Sequence, residues 1–317
     1  MSMAVSFRKT LASEASILST GVYDCVSAIC AERAGFSSIS ISGAAVSASV
    51  LGYPDVGLLT LTESVNQARH IARSVDIPVL VDADTGYGNA LNVMRTVREF
   101  EDAGLAGISI EDQAFPKRCG HYDGITLIPA NEMAVKVSAA CEARRDDNFV
   151  IMARTDARRV EGLDAAIERA CLYAEHGADM IFVESLADEA EMRKVVEQVP
   201  RPLKINMLEG GTTPRPPFAQ LFAIGFRLVN YSGLLQRAAM RAMEVALDVL
   251  KRDGVTAGLY PDRIVNLAER NEILRLDAFY ALEERLYGPL LNTDRSWRDE
   301  MQDSAKRAPR KPRKSLI

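Results

Sequence analysis

Four places in this chain repeat one junction: a helix-like stretch, a small-residue turn containing glycine, then a short run of β-favouring residues. They are Ala34-Gly35 before Ser38-Ile39-Ser40-Ile41, Ala103-Gly104 before Gly107-Ile108-Ser109-Ile110, His176-Gly177 before Met180-Ile181-Phe182-Val183, and Ile224-Gly225 before Phe226-Arg227-Leu228-Val229. Glycine just past a helix ends it in the left-handed conformation, and the unbroken apolar run that follows suits a strand buried on both faces. Further strand candidates lie at residues 17–22, 78–81, 149–153 and 202–205, which makes eight strands. Helical periodicity covers 24–34, 61–75, 90–103, 131–144, 163–176, 189–199, 217–224 and 233–251. Strict alternation of strand and helix favours a parallel sheet, and eight such units close into a (β/α)8 TIM-type barrel. A doubly wound α/β sheet is the runner-up.

A length of 317 residues admits one large barrel or two medium domains. With 48% apolar and 26% charged residues, the composition is that of a soluble protein with a substantial core. A formal charge of −5 gives no footprint for nucleic acid or for an acidic surface, so a small-molecule partner is expected. The five cysteines, Cys25, Cys30, Cys119, Cys141 and Cys171, show no CxxC spacing and fit a reduced, cytoplasmic protein. No segment reads as a signal peptide or a membrane span. The expected domains are a barrel at 1–255, a helical extension at 256–295 and a basic, disordered tail at 296–317. Pro261 and Asp262 offer a helix start in the extension, which is expected to pack on another subunit. The tail carries six basic residues between Lys306 and Lys314, and reads as a solvated terminus rather than a nucleic-acid arm.

In a barrel of this kind the chemistry collects at the C-terminal ends of the strands. Polar residues recur there: Ser42-Gly43, Asp82-Ala83-Asp84, Glu111-Asp112, Arg154-Thr155-Asp156, Glu184, Asn206 and Asn230-Tyr231-Ser232. Buried charge is costly unless paired or metal-bound, so these groups are expected to converge on one polar site. Asp82, Asp84 and Glu111 would repel one another unless a cation or bound protons compensated. Hard oxygen donors without His or Cys point to magnesium, or manganese as substitute, rather than zinc. Gly86 and Gly88 permit close backbone approach. The competing reading ties these acids to barrel arginines.

Lys117-Arg118-Cys119-Gly120-His121 follows Glu111-Asp112-Gln113 and reads as a catalytic loop. Neighbouring cations favour the thiolate of Cys119 while burial favours the thiol, so this cysteine is tunable as a proton donor. Taken alone, it would be an ordinary small residue in a basic surface loop.

With these residues in place, the chain resembles the isocitrate lyase and phosphoenolpyruvate mutase superfamily, within it the lyases acting on 2-methylisocitrate and 2-alkylmalates. The resemblance spans 21–250 and rests on Ser42-Gly43-Ala44, Leu51-Gly52-Tyr53-Pro54-Asp55, Asp82-Ala83-Asp84-Thr85-Gly86-Tyr87-Gly88, Glu111-Asp112-Gln113, the Cys119 loop, Ala153-Arg154-Thr155-Asp156-Ala157 and Glu209-Gly210-Gly211-Thr212-Thr213-Pro214. It implies that Ser42, Gly43 and Ala44 hold a 2-oxo-carboxylate, with positive charge from Arg154. It further implies that Asp82, Asp84 and Glu111 surround magnesium, that Glu184 and Asn206 line the pocket, and that Asp55 lies near the reacting centre. Cys119 would protonate a carbanion-like product stabilised by Lys117, Arg118 and His121. A homotetramer is implied, with the helix at 233–251 exchanged between subunits.

Two departures stand out. Ser40 occupies a position where many members of that family carry an aromatic residue, which removes one candidate base and enlarges the pocket. The loop from Asn206 to Pro214 looks more like that of the dimethylmalate lyase and oxaloacetate hydrolase branch. The expected activity is therefore magnesium-dependent cleavage of a 2,3-dimethylmalate-like hydroxy acid to pyruvate or a related 2-oxo acid plus a small carboxylate. Methylisocitrate cleavage, with Arg118 or Arg215 meeting the third carboxylate, is the alternative, followed by oxaloacetate hydrolysis or decarboxylation. Processing of phosphonopyruvate, or ligand binding without turnover, ranks below these.

Overall fold

The computed structural model of the protein describes residues 2–13 and 15–291, so the basic tail lies outside the described residues. Eight parallel strands close into a barrel in sequence order: β1 (Ile17–Val22), β2 (Ile39–Ile41), β3 (Val79–Asp82), β4 (Gly107–Glu111), β5 (Val150–Thr155), β6 (Met180–Val183), β7 (Leu203–Asn206) and β8 (Leu228–Tyr231). The ring closes through β1 on β8, with Ile17 opposite Leu228 and Ser19 opposite Asn230. The (β/α)8 expectation holds and the doubly wound alternative falls.

Local chemistry explains the joints. The four junction glycines Gly35, Gly104, Gly177 and Gly225 have φ of 87°, 91°, 104° and 124°, a region that side-chain-bearing residues avoid. Helix starts carry their own signals: Asp24 with Ser27, Thr60 with Glu63, and Asn89 with Asn92 each form reciprocal capping boxes.

Side chains alternate along a strand, so every second residue faces the lumen. At the bottom, Ile17, Leu80, Val150, Met180 and Leu228 pack with Phe7 and Leu11 in one apolar cluster. Phe7 and Leu11 come from an N-terminal helix, Met3–Ala12, which the sequence reading did not anticipate. Two residues further along each strand the lumen turns polar: Leu80 gives way to Asp82, Met152 to Arg154, Phe182 to Glu184, and Leu228 to Asn230. This gradient leaves the C-terminal mouth as the place for chemistry.

The chain divides into two compact units between Lys251 and Arg252. In the second, helices span Leu267–Ile273 and Leu276–Leu291. The first of these starts at an Asn266–Glu269 capping box, whereas Pro261, expected to open a helix, lies in a turn. Among the described residues no helix is long and apolar enough to cross a membrane.

Candidate active site

A pocket of about 440 Å3 opens at the C-terminal mouth and is lined by Ser42, Ala44, Asp55, Asp82, Cys119, His121, Arg154, Glu184 and Asn206 among others. Of the strand-end residues expected there, Ser42, Asp82, Arg154, Glu184, Asn206 and Ser232 line it, while Glu111 and Asp112 at the end of β4 do not. Ser42 caps the short helix Gly43–Val46, its hydroxyl accepting from the Ala45 N–H at 3.4 Å. Gly43 lies so close to the acids that a Cβ there would stand 3.3 Å from Asp84 Oδ1 and 3.4 Å from Asp82 Oδ2. The turn after β3 holds Asp84 and Tyr87 at φ of 48° and 59°, a left-handed backbone uncommon outside glycine and often found at functional sites.

Two cations meet the acids. Lys117 is buried between Asp55 and Asp84, its ammonium 2.5 Å from Asp55 Oδ1 and 2.6 Å from Asp84 Oδ1. Burial alone would lower its pKa, but Asp84, Glu111, Asp55 and Asp82 outweigh burial and hold it well above the ordinary lysine range. Arg154 grips Asp156 with two bonds of 3.0 and 2.8 Å, and stands 3.4 Å from Glu111 Oε2 and 3.5 Å from Glu184 Oε2. Its positive charge is thus already shared among three carboxylates. The reading that tied the acids to arginine is therefore partly correct.

The compensation is incomplete. Burial pushes Glu111 well above the usual carboxylate range despite Arg154 and Lys117, and both of its oxygens are buried without a hydrogen-bond donor. Burial likewise raises Asp84 to about 6 against the pull of Lys117. The donor-less oxygens of Glu111, with Asp82 and Asp84 at neighbouring strand ends, are the chemistry a hard divalent cation takes, since such ions prefer oxygen ligands. Among the described residues, however, no three His, Cys, Asp or Glu side chains gather closely enough to ligate one ion together. Asp82, Asp84 and Glu111 are spread around the site, an arrangement that suits an ion retaining several waters.

The Cys119 loop closes one wall. The Cys119 N–H donates to the Asp55 carbonyl at 3.1 Å, and the Tyr122 N–H donates back to Cys119 O at 2.8 Å. Burial pushes the Cys119 thiol up; the His121 N–H opposes this and Asp55 adds to it, so the group is a thiol at neutral pH. Arg159 clamps the loop through the carbonyls of Gly120 and Tyr122 at 3.0 and 3.2 Å. Arg118 departs from expectation: its side chain is exposed and donates to the Asp123 carbonyl at 2.8 Å, so it braces the loop and does not line the pocket. His121 does line it, with Nδ1 buried and unpartnered.

Sequence reasoning missed Gln236 and Arg237, which reach the pocket from the first turns of the helix Leu234–Asp253. Only the fold brings that turn back to the mouth. It also missed Lys204, a lysine within an apolar strand at the same parity as Asn206; that parity was the available signal.

A barrel whose mouth gathers carboxylates, buried cations and a thiol defines an enzyme acting on small acids. The family model described as phosphoenolpyruvate phosphomutase matches residues 7–250, and the chain belongs to that family. It is 43% identical over 283 residues to 2,3-dimethylmalate lyase of Eubacterium barkeri, covering 89% of this chain and 98% of that one. It is 44% identical over 269 residues to 2-methylisocitrate lyase of Aeropyrum pernix, covering 85% of each. A phosphonopyruvate hydrolase solved with oxalate and Mg++ superposes with a TM-score of 0.81 at 30% identity, covering 90% of this chain and 99% of that one.

Proposed function

We propose that the protein is a magnesium-dependent carbon-carbon lyase that cleaves a 2-alkylmalate of the 2,3-dimethylmalate type into pyruvate or a related 2-oxo acid and a small carboxylate. The observation that carries this reading is the half-buried Cys119, a thiol at neutral pH, in the wall of a pocket that also carries the carboxylates Asp55, Asp82 and Glu184. The 43% identity to 2,3-dimethylmalate lyase supports the substrate class.

The backbone of Gly43 and Ala44, with Ser42, receives the 2-carboxylate at the start of a short helix, and Arg154 adds positive charge. A magnesium ion, or manganese in its place, held by Asp82, Asp84 and Glu111 directly or through water, would stabilise negative charge on the neighbouring substrate oxygen. The hydroxyl proton leaves to a pocket carboxylate, for which Asp55 and Glu184 both line the cavity. The C2–C3 bond breaks, its electron pair moving to C3 as the C2 oxygen becomes a ketone. Lys117 and His121 face the charge that develops, and Cys119 delivers a proton to C3. The loop excludes water while the enolate-like product exists. We further propose a cytoplasmic homotetramer with the helix Leu234–Asp253 exchanged between subunits; the exposed Met243 and Leu247 on that helix and the five free cysteines support this.

Methylisocitrate cleavage is the second reading, favoured by the relative from Aeropyrum pernix. Arg118, one of the two cations expected to meet its third carboxylate, faces away from the pocket, which weighs against it. Incubation with magnesium and 2,3-dimethylmalate, other 2-alkylmalates, 2-methylisocitrate, oxaloacetate or phosphonopyruvate tests the assignment. Release of a 2-oxo acid from an alkylmalate is expected; phosphate release from phosphonopyruvate alone would overturn it.

A further inference from the structure

Below the pocket, deeper in the lumen, lies a second cavity of about 40 Å3. It shares Ser42, Asp82, Asn206 and Ser232 with the pocket above, so the two cavities adjoin. Its wall is unusual for a barrel core: beside apolar residues it is lined by Ser40, Ser109, Asn230 and Lys204.

Lys204 is 9% exposed. Among the described residues it has no hydrogen bond and no ion pair; its ammonium lies 5.0 Å from the centroid of Phe182, whose ring also receives Arg154 at 5.2 Å. A buried ammonium carries three donors and is expensive to keep unless an anion or strong acceptors meet it. Burial lowers its pKa to about 8, with Asp82 and Glu184 opposing and Arg154 assisting, so at neutral pH it is charged and has no carboxylate in direct contact. Every other buried cation of the site, Lys117 and Arg154, has carboxylate partners within 3.5 Å. A water occupies roughly 10–15 Å3 by the same kind of measure, so the cavity holds about three waters or one carboxylate group. A hydroxyl or water would satisfy donors without neutralising the charge, whereas a carboxylate does both.

We propose that Lys204 and this cavity form a floor subsite for a carboxylate carried by the ligand's own side arm, so that the preferred ligands are acids with an acid-ended arm. Ser40 makes the subsite possible, because a large side chain there would fill the space in front of the ammonium. The inference rests on the reading that the pocket above holds a 2-oxo acid, and within that reading it ranks 2-oxo acids with an acid-ended arm above methyl-ended ones without excluding pyruvate.

The test is calorimetric binding with magnesium present, comparing oxaloacetate and 2-oxoglutarate with the methyl-ended 2-oxobutyrate and 2-oxopentanoate, and using oxalate as the armless control. The native protein is expected to bind one acid-ended ligand at least about tenfold more tightly than its methyl-ended counterpart. Lys204→Met is expected to erase or reverse that preference while leaving oxalate affinity within about twofold. Ser40→Phe, which keeps the lysine but fills the cavity, is expected to erase it too. A native preference for the methyl-ended arms, or an acid preference that survives Lys204→Met, would overturn the proposal. If the native protein binds acid-ended ligands preferentially but cleaves no alkylmalate, the lyase reading fails and the subsite stands.

Discussion

Glu111 and Asp112 are neighbours at the end of β4, both buried carboxylates, and they live in opposite circumstances. Asp112 is fully answered: it accepts from Thr155 Oγ1 at 2.7 Å, Tyr173 Oη at 2.8 Å and the Asp156 N–H at 3.0 Å, with Arg169 at 3.4 Å. Glu111 has no hydrogen-bond donor on either oxygen, only the Arg154 guanidinium at 3.4 Å. A saturated buried acid is a structural strut, tying β4 to β5 and the following helices. An unsaturated one is a cost the fold retains for chemistry. Strand alternation decides which is which, sending Glu111 into the lumen and Asp112 outward among the helices.

Substitutions should separate the two. Glu111→Gln is expected to lower turnover roughly 10^3-fold while leaving the melting temperature unchanged or raised, because an unsatisfied buried acid is removed. A steady-state assay beside calorimetry checks this, and a large drop in melting temperature would erase the distinction. Asp112→Ala should instead destabilise by about 3 kcal/mol, since it strands the Tyr173, Thr155 and Arg169 donors, with loss of activity following loss of fold.

Lys204 extends the comparison to a cation. Its pKa of about 8 lies below the ordinary 10.5, so the unfolded chain binds the proton more tightly than the native one. The penalty is full below pH 8 and fades as pH rises toward 10.5. Lys204→Met should therefore stabilise the ligand-free protein by about 2 kcal/mol at pH 7, after loss of the Phe182 contact, and by less at pH 10. Denaturant titrations at the two pH values decide it; equal gains at both would contradict the assignment of an unpaired charge. Gly120→Ala is expected to have the smallest effect, about tenfold in turnover, because its Cβ would lie 2.4 Å from Arg154 Nη2 and 2.8 Å from Asp156 Oδ1 and must lift the Cys119 loop. Unaltered kinetics would show that the loop tolerates displacement.

Much of the barrel is legible in the sequence because its joints depend on local chemistry. β1 and β6 fall at their expected residues, and the four junction glycines adopt the conformation that only glycine takes easily. β8 begins two residues later than expected, at Leu228, because its start is set by pairing with β1 rather than by its own apolar run. The helix Met3–Ala12 is obscure in sequence since its apolar contribution is mainly Phe7 and Leu11, whose partners lie on strands far along the chain. In the site, strand-end acids were readable from parity, while the outward turn of Arg118 and the burial of Lys117 between Asp55 and Asp84 depend on loop geometry that spacing does not encode.

The most direct test of the account is a comparison of the native enzyme with Cys119→Ala on 2,3-dimethylmalate with magnesium, measuring 2-oxo-acid release together with oxalate binding. The account predicts 2-oxo acid from the native protein, release slowed at least about 10^2-fold in the variant, and oxalate affinity unchanged. Equal release from both proteins would contradict Cys119 as the proton donor and with it the lyase mechanism built on this loop.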